Sequence, residues 1–245
     1  SFLVKINSIV PQLEQFPSQI QQGLTQQHAA SNAIPQQEYD AISASINKSF
    51  SPTVMEATIR DAVQESLNQD EANLLLAWYE SKQGKVITEA EVAAGEPEAV
   101  AEMMAQAGEL IQDSDRLAIA QRLDSLMSSS EISMQLFIDT TVGVISALSI
   151  AGKPEQAVDM EMIRSQIAGS QDQIRANVEQ LTWASLIYAY KDLDLTTVQA
   201  YEDFLSAEAP LRFNHVAFEA FIQSVRDGVN IWTKDLVEIF IDNNQ

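Results

Sequence analysis

Apolar residues recur every three or four positions along almost the whole chain, the period of an amphipathic helix. The first stretch, to about Gln27, carries Phe2, Ile6, Ile9, Leu13, Phe16, Ile20 and Leu24 on one face. Pro11 and Pro17 are predicted to kink it or to split it into short helices, because proline removes an internal hydrogen bond. Pro35 is predicted to open the next helix, whose stripe is Tyr39, Ile42, Ile46 and Phe50. Ser51-Pro52 reads as a cap followed by proline, starting a helix with Met55, Ile59, Ala62, Val63 and Leu67 on its apolar side. Asn68 with Glu71 spells a capping box, and the helix it opens carries Leu75, Trp78 and Tyr79, with Gly84 placed to stop it.

A shorter helical stretch is expected through Val86, Ile87 and Val92, broken at Gly95 and Pro97. Two helices should fill Pro97 to Met127, with Ser114 as the cap between them. The segment from Glu131 to Ala151 is apolar nearly all round, which places it at the centre of the fold. Helices are expected from about Pro154 to Ala168, then along Ile174, Val178, Leu181, Ser185 and Tyr188, then over Leu195 to Leu205. In the last helix Phe218, Ile222, Val225, Val229, Trp232, Leu236 and Ile239 alternate gaps of four and three. That spacing keeps one seam facing a neighbouring helix, either within the chain or in a second copy that would dimerise through residues 218–240. Residues 85–88 are the nearest approach to a strand and are too few. The expected fold is therefore all-α, with about ten to twelve helices.

Two stretches look alike at an offset of 125 residues, pairing Tyr79 with Phe204, Ser81 with Ser206 and Gly84 with Ala209. Each reads as a helix end with an aromatic, a serine and a tight corner into a second helix. They divide the chain into an expected N-terminal unit, 1–95, and a C-terminal unit, 96–245, with a degenerate second copy, the two packing into one body. The run Leu76-Ala77-Trp78-Tyr79-Glu80-Ser81, followed by Gly84-Lys85-Val86-Ile87-Thr88 and Glu91, resembles the family of bacterial domains of unknown function numbered 2059. The second copy resembles the same pattern at Tyr201, Phe204, Ser206 and Phe213, and departs from it at Ala209 and Pro210. The resemblance implies an all-helical protein exported to the periplasm, or secreted, by a Gram-negative bacterium. It implies no activity. The corner residues Trp78, Tyr79, Ser81, Gly84, Tyr201, Phe204 and Ser206 are its structural signature in this chain.

Charge changes the picture of partners. There are 14 basic residues against 35 acidic ones, a net charge of −21. Such a surface repels nucleic-acid phosphates and anionic headgroups, and suits a basic partner, divalent cations or a salty medium, or serves solubility alone. Cysteine is absent, so disulfides, thiolate metal sites and cysteine nucleophiles are excluded. The start at Ser1 fits a removed leader or a cloning boundary. The most membrane-like stretch, Ile132 to Ala151, contains Gln135, Asp139, Thr140 and Thr141, and is expected to be a core helix and not a transmembrane segment.

Catalytic constellations are sparse. His28 and His215 lie far apart, and His215, beside the last apolar stripe, is expected to be a partly buried structural residue. Asp113-Ser114-Asp115 and Asp192-Leu193-Asp194 begin calcium-loop patterns without the glycine or the later ligands, and read as helix caps. No phosphate-binding loop or nucleophile elbow is present. Glu80-Ser81 and Glu65-Ser66 match the Glu-Ser dipeptide of helical lysozyme-like enzymes, without that class's downstream segment. Met103, Met104, Met160 and Met162 suit either core filling or an adaptable groove. The expectation is a non-enzymatic envelope protein, without cofactor or metal, binding a protein partner or a small apolar ligand. A carboxylate-dependent hydrolase of an envelope polymer and an oligomeric structural protein are the alternatives.

Overall fold

Local start signals act through backbone donors. A computed structural model describes residues 9–31, 34–152 and 159–240. Within it, Asn68 Oδ1 accepts from the N–H groups of Asp70 and Glu71, each at 3.0 Å, and Glu71 Oε2 accepts from the Asn68 N–H at 3.0 Å. This closes the expected capping box. Twelve helices form among the described residues, and no strand. They are α1 (Ile9–Ser31), α2 (Gln36–Ser49), α3 (Pro52–Ser66), α4 (Gln69–Glu80), α5 (Lys82–Ala94) and α6 (Pro97–Leu110), then α7 (Ser114–Met127), α8 (Ser129–Gly152), α9 (Met160–Ala168), α10 (Gln171–Ala189), α11 (Leu195–Leu205) and α12 (Glu208–Phe240).

Two start or stop signals act differently from the expectation. Pro17 lies inside α1, which continues through it and is not split. An internal proline costs about 3 kcal/mol. Burial of Leu13, Phe16, Ile20 and Leu24 on one face offsets it, since each such side chain contributes about 1.5–3 kcal/mol. Phe2 and Ile6 lie outside the described residues. Asp113, not Ser114, caps α7, accepting from the Arg116 N–H at 3.1 Å. Residues 85–88 are helical, in α5. Pro154 lies outside the described residues, and α9 starts behind Asp159, whose Oδ1 accepts from the Glu161 and Met162 N–H groups.

The contacts divide the chain into two interleaved units. Among the described residues, unit 1 comprises 9–12, 59–134 and 172–220, and unit 2 comprises 13–31, 34–58, 135–152, 159–171 and 221–240. Chain order hides this division because the face that α5 buries is completed by α11, which arrives more than a hundred residues later.

In unit 1, α5 packs on α4, α6 and α11, and α11 packs on α7. Ile87, Leu123, Tyr190, Val198, Tyr201 and Leu205 form its main core. Met103, Ala184 and Tyr188 form a smaller cluster under α6.

In unit 2 the core is aromatic. Trp232 is fully enclosed, and its Nε1 donates to Ser45 Oγ at 2.8 Å. Phe50 meets Trp232 edge-on at 5.7 Å, Phe16 meets Phe50 at 5.8 Å, and Phe16 meets Phe221 at 5.6 Å. Gly228 lets α12 approach the end of α2, because a Cβ there would stand 2.5 Å from the Phe50 ring. Ile222, Val225, Val229, Trp232 and Leu236 are all buried within the chain, so the seam of the last helix has its neighbour in the same molecule. Ile239, at the end of that stripe, is exposed.

From Val142 to Ala151, α8 is buried at Val142, Gly143, Val144, Ser146, Ala147, Leu148, Ile150 and Ala151, as a central helix requires. It is the one helix among the described residues long and apolar enough to cross a membrane, with a mean hydropathy of 1.5. More than half of that window is buried in the protein, and Asp139 within it is fully enclosed. These are the marks of a core helix.

Candidate functional site

The aromatic–serine corner is built around one residue. Ser81 takes an extended backbone (φ −67°, ψ 164°) that ends α4, and its N–H still bonds Trp78 O at 2.9 Å. Its Oγ accepts from the Gly84 N–H at 3.1 Å, and its carbonyl accepts the first helical bond of α5 from Lys85 at 3.1 Å. Ser81 therefore caps both helices at once. Gly84 does not stop α4, as the sequence suggested; it stands in the first turn of α5. A Cβ at Gly84 would lie 2.1 Å from Trp78 O and 2.8 Å from Tyr79 Cα, so no side chain fits.

The second copy turns by a different device. Ser206 is helical (φ −73°, ψ −12°), and its Oγ donates back to Glu202 O at 2.8 Å. Two residues, Ser206 and Ala207, separate α11 from α12, and the Leu211 N–H bonds Ala207 O at 3.1 Å. Pro210 sits in the first turn of α12, where its missing N–H has no helical partner to lose. The copies thus differ by one residue at the corner, and Ser206 is not a second Ser81.

Four of the seven signature residues meet. Trp78 stacks on Phe204 with ring centroids 4.5 Å apart and planes 8° from parallel. Tyr79 meets Phe204 edge-on at 5.8 Å. Tyr201 lies parallel to Trp78 at 6.2 Å and crosses Tyr190 at 6.2 Å. The aromatics of one corner are packed against those of the other.

The same cluster encloses a carboxylate. The Tyr190 hydroxyl donates to Glu91 Oε1 at 2.8 Å. Burial pushes the Glu91 carboxyl above the usual carboxylate range, while hydrogen bonds from Tyr190 and Tyr201 draw it partly back. Burial, then the nearby Glu91 charge, holds the hydroxyls of Tyr79, Tyr190 and Tyr201 above the usual phenol range. A carboxylic acid held among phenols can exchange a proton, but a substrate needs room. The cavity beside Tyr190, lined by Arg116, Leu123, Leu186 and Val198, holds about 10 Å³, about the least that admits one water. The cluster is a packing and titrating element, and the cavity beside it leaves no room for a substrate.

The other sequence candidates are dispersed. Glu80 and Glu65 are exposed, on α4 and α3, and neither lines that cavity. His28 stacks on Tyr39 at 4.7 Å. His215 is exposed instead of partly buried, because it falls on the outer side of α12. Asp194 serves as a helix cap, as expected, and the Asp113-Ser114-Asp115 cap region acts through Asp113. Hydrogen bonds from the Thr196 hydroxyl and from Thr197 hold Asp194 down at about 2. Met103 is buried, whereas Met104 and Met162 are exposed. No group of three metal-ligating side chains occurs among the described residues.

Sequence reasoning noticed Asp139 only as an interruption of an apolar run. In unit 2 it is fully enclosed and faces two guanidinium groups. Arg226 Nε donates to Oδ2 at 3.1 Å, and Gln135 Nε2 donates to the same atom at 2.9 Å. Arg164 Nη1 stands 2.7 Å from Oδ1 but off the line of a hydrogen bond, so that contact is electrostatic. Gln135, one turn before Asp139 on α8, was the available signal. The arginines arrive from α9 and α12. Comparisons with protein-family models, with curated proteins and with solved structures return no match for this chain.

Proposed function

We propose that this is a non-enzymatic helical protein of a bacterial envelope that binds a protein partner on its outer helical surfaces. The observation that carries the reading is the contrast between interior and exterior. Among the described residues, the cavity beside Tyr190 holds about 10 Å³, too small for even a small apolar ligand. The exterior offers large apolar side chains, among them Val54 at 63%, Met162 at 59% and Met104 at 53% exposure. Two of these are methionines, whose flexible thioethers adapt to varied partners.

The envelope location and the kinship with the bacterial family numbered 2059 are parts of the same proposal, and rest on the corner residues Trp78 to Gly84. The strongly acidic surface supports a partner of opposite charge. A photo-reactive residue placed in turn at Val54, Leu74, Met104 and Met162 tests the reading in cells. A discrete covalent adduct of fixed mass from at least one position is expected. No adduct from any position, with the protein folded and exported, would remove it.

A further inference from the structure

The binding reading can be taken to one surface and one class of partner. Helix α6 turns one face to the small cluster of Met103, Ala184 and Tyr188. At roughly 100° per residue, the flank beside that face carries Val100, Met104, Gly108 and Ala101 in one uncharged stripe, turned roughly 60° to 160° from Met103. All four are exposed, Val100 at 41% and Met104 at 53%. Nothing lies within 4 Å of the Cβ position of Gly108, so a second backbone can come close there. Val92, at the end of the adjoining α5, is also exposed, at 39%.

One edge of the stripe is acidic. Glu98, Glu102 and Glu109 fall together beyond Ala101 on the wheel, and all three are exposed. The chain on either side of them supplies no cation, and Lys191 offsets Glu102 alone among the three. Between Lys85 and Arg116 there are eight acidic residues and no lysine or arginine. Lys191 reaches Glu102 from elsewhere, at 3.8 Å, and lies over the Tyr188 ring.

We infer that the outer face of α6 docks a basic amphipathic helix, with Val100 and Met104 against its apolar stripe and the glutamate edge against its lysines or arginines. The alternatives fail on charge. An anionic lipid surface or a nucleic acid would meet the same glutamates with like charge. A second copy of this chain would bring an identical acidic edge and a net charge of −21. A helix fits better than an extended strand, since α6 presents side chains in a stripe and no unpaired backbone donors.

The inference rests on the partner-binding reading, and the test separates the two. A fluorescent synthetic helix of leucine and lysine in amphipathic order would be titrated into the full chain at physiological salt. The same composition in scrambled order is the control. The ordered peptide is expected to bind and the scrambled one to bind much more weakly. Met104→Glu decides the mechanism, because charge attraction alone would tighten with an added carboxylate. A docking stripe instead loses apolar contact, and affinity should fall about tenfold. Gln64→Glu, which adds the same charge at an exposed position on α3, should leave affinity unchanged. Absence of binding, or a Met104→Glu affinity equal to or tighter than wild type, overturns the α6 site. In the cell experiment, adducts at Met162 or Leu74 with none at Met104 would remove this site and leave the partner-binding reading standing. Silence at every position removes both.

Discussion

Trp78 and Phe204 stack face to face at 4.5 Å although they belong to corners 125 residues apart. The contact joins α4 to α11 within unit 1. Offset-stacked aromatic pairs contribute about 0.5–1.5 kcal/mol beyond the area they bury. The two rings should therefore be energetically coupled. A double-mutant cycle of Trp78→Ala and Phe204→Ala, read by urea denaturation, should return a coupling of about 1 kcal/mol. Strict additivity would mean that the rings touch without stabilising each other.

Gly84 and Gly108 are both helical, and alanine should act on them in opposite directions. At Gly84 the new methyl would collide with the Trp78 carbonyl, which is backbone and cannot step aside. A loss of about 3 kcal/mol or more is expected. At Gly108 the methyl meets nothing, and the better helix propensity of alanine should add about 0.5–1 kcal/mol. Thermal melts of the two variants check this, and a stable Gly84→Ala protein would contradict the corner geometry.

Glu91 should make stability fall as pH rises. Its folded value lies above the unfolded value of 4.5, so between the two the folded state holds a proton that the unfolded state has released. Stability is then greatest below the unfolded value and declines as pH climbs through the folded one. Glu91→Gln keeps an acceptor for the Tyr190 hydroxyl and carries no charge. Its denaturation midpoint, followed from pH 4 to 8, should lose this decline and exceed wild type at neutral pH. An unchanged slope would show that the carboxylate is well solvated.

Asp139 is the acid on which two arginines converge. Asp139→Asn leaves Arg164 and Arg226 facing each other without the intervening charge. Removing one partner of a fully enclosed ion pair costs about 3–5 kcal/mol. Both guanidinium groups are more than one-third or nearly one-third exposed, at 41% and 33%, so water relieves part of that cost. A loss of about 2–3 kcal/mol is expected in guanidinium-free chemical denaturation. Arg164→Met should cost less, since Arg226 and Gln135 still hold the carboxylate. Equal losses would place the stability in the α9 contact instead.

Features that depend on near neighbours were legible. The Asn68–Glu71 capping box, the Asp194 cap and the stripe from Ile222 to Leu236 all lie within a turn or two of their own helix. The site was legible only as separate pieces. Trp78, Tyr79, Tyr201 and Phe204 stood out as two similar corners, but nothing local says that the corners face each other. Glu91 was noticed as part of a pattern, and its role emerges only when Tyr190 and Tyr201 are brought to it from 99 and 110 positions away.

The helical class, the placing of most helix ends and the side of each helix that must be hidden follow from the sequence alone, because they depend on spacing, proline and short side-chain caps acting over a few residues. Which hidden sides meet was decided by the tertiary structure. That choice sets Gly84 under Trp78 O, gives Glu91 its ring of phenols and closes two arginines on Asp139. It depends on shape and desolvation between segments far apart in the chain, and amphipathic spacing is the same whichever neighbour a helix takes.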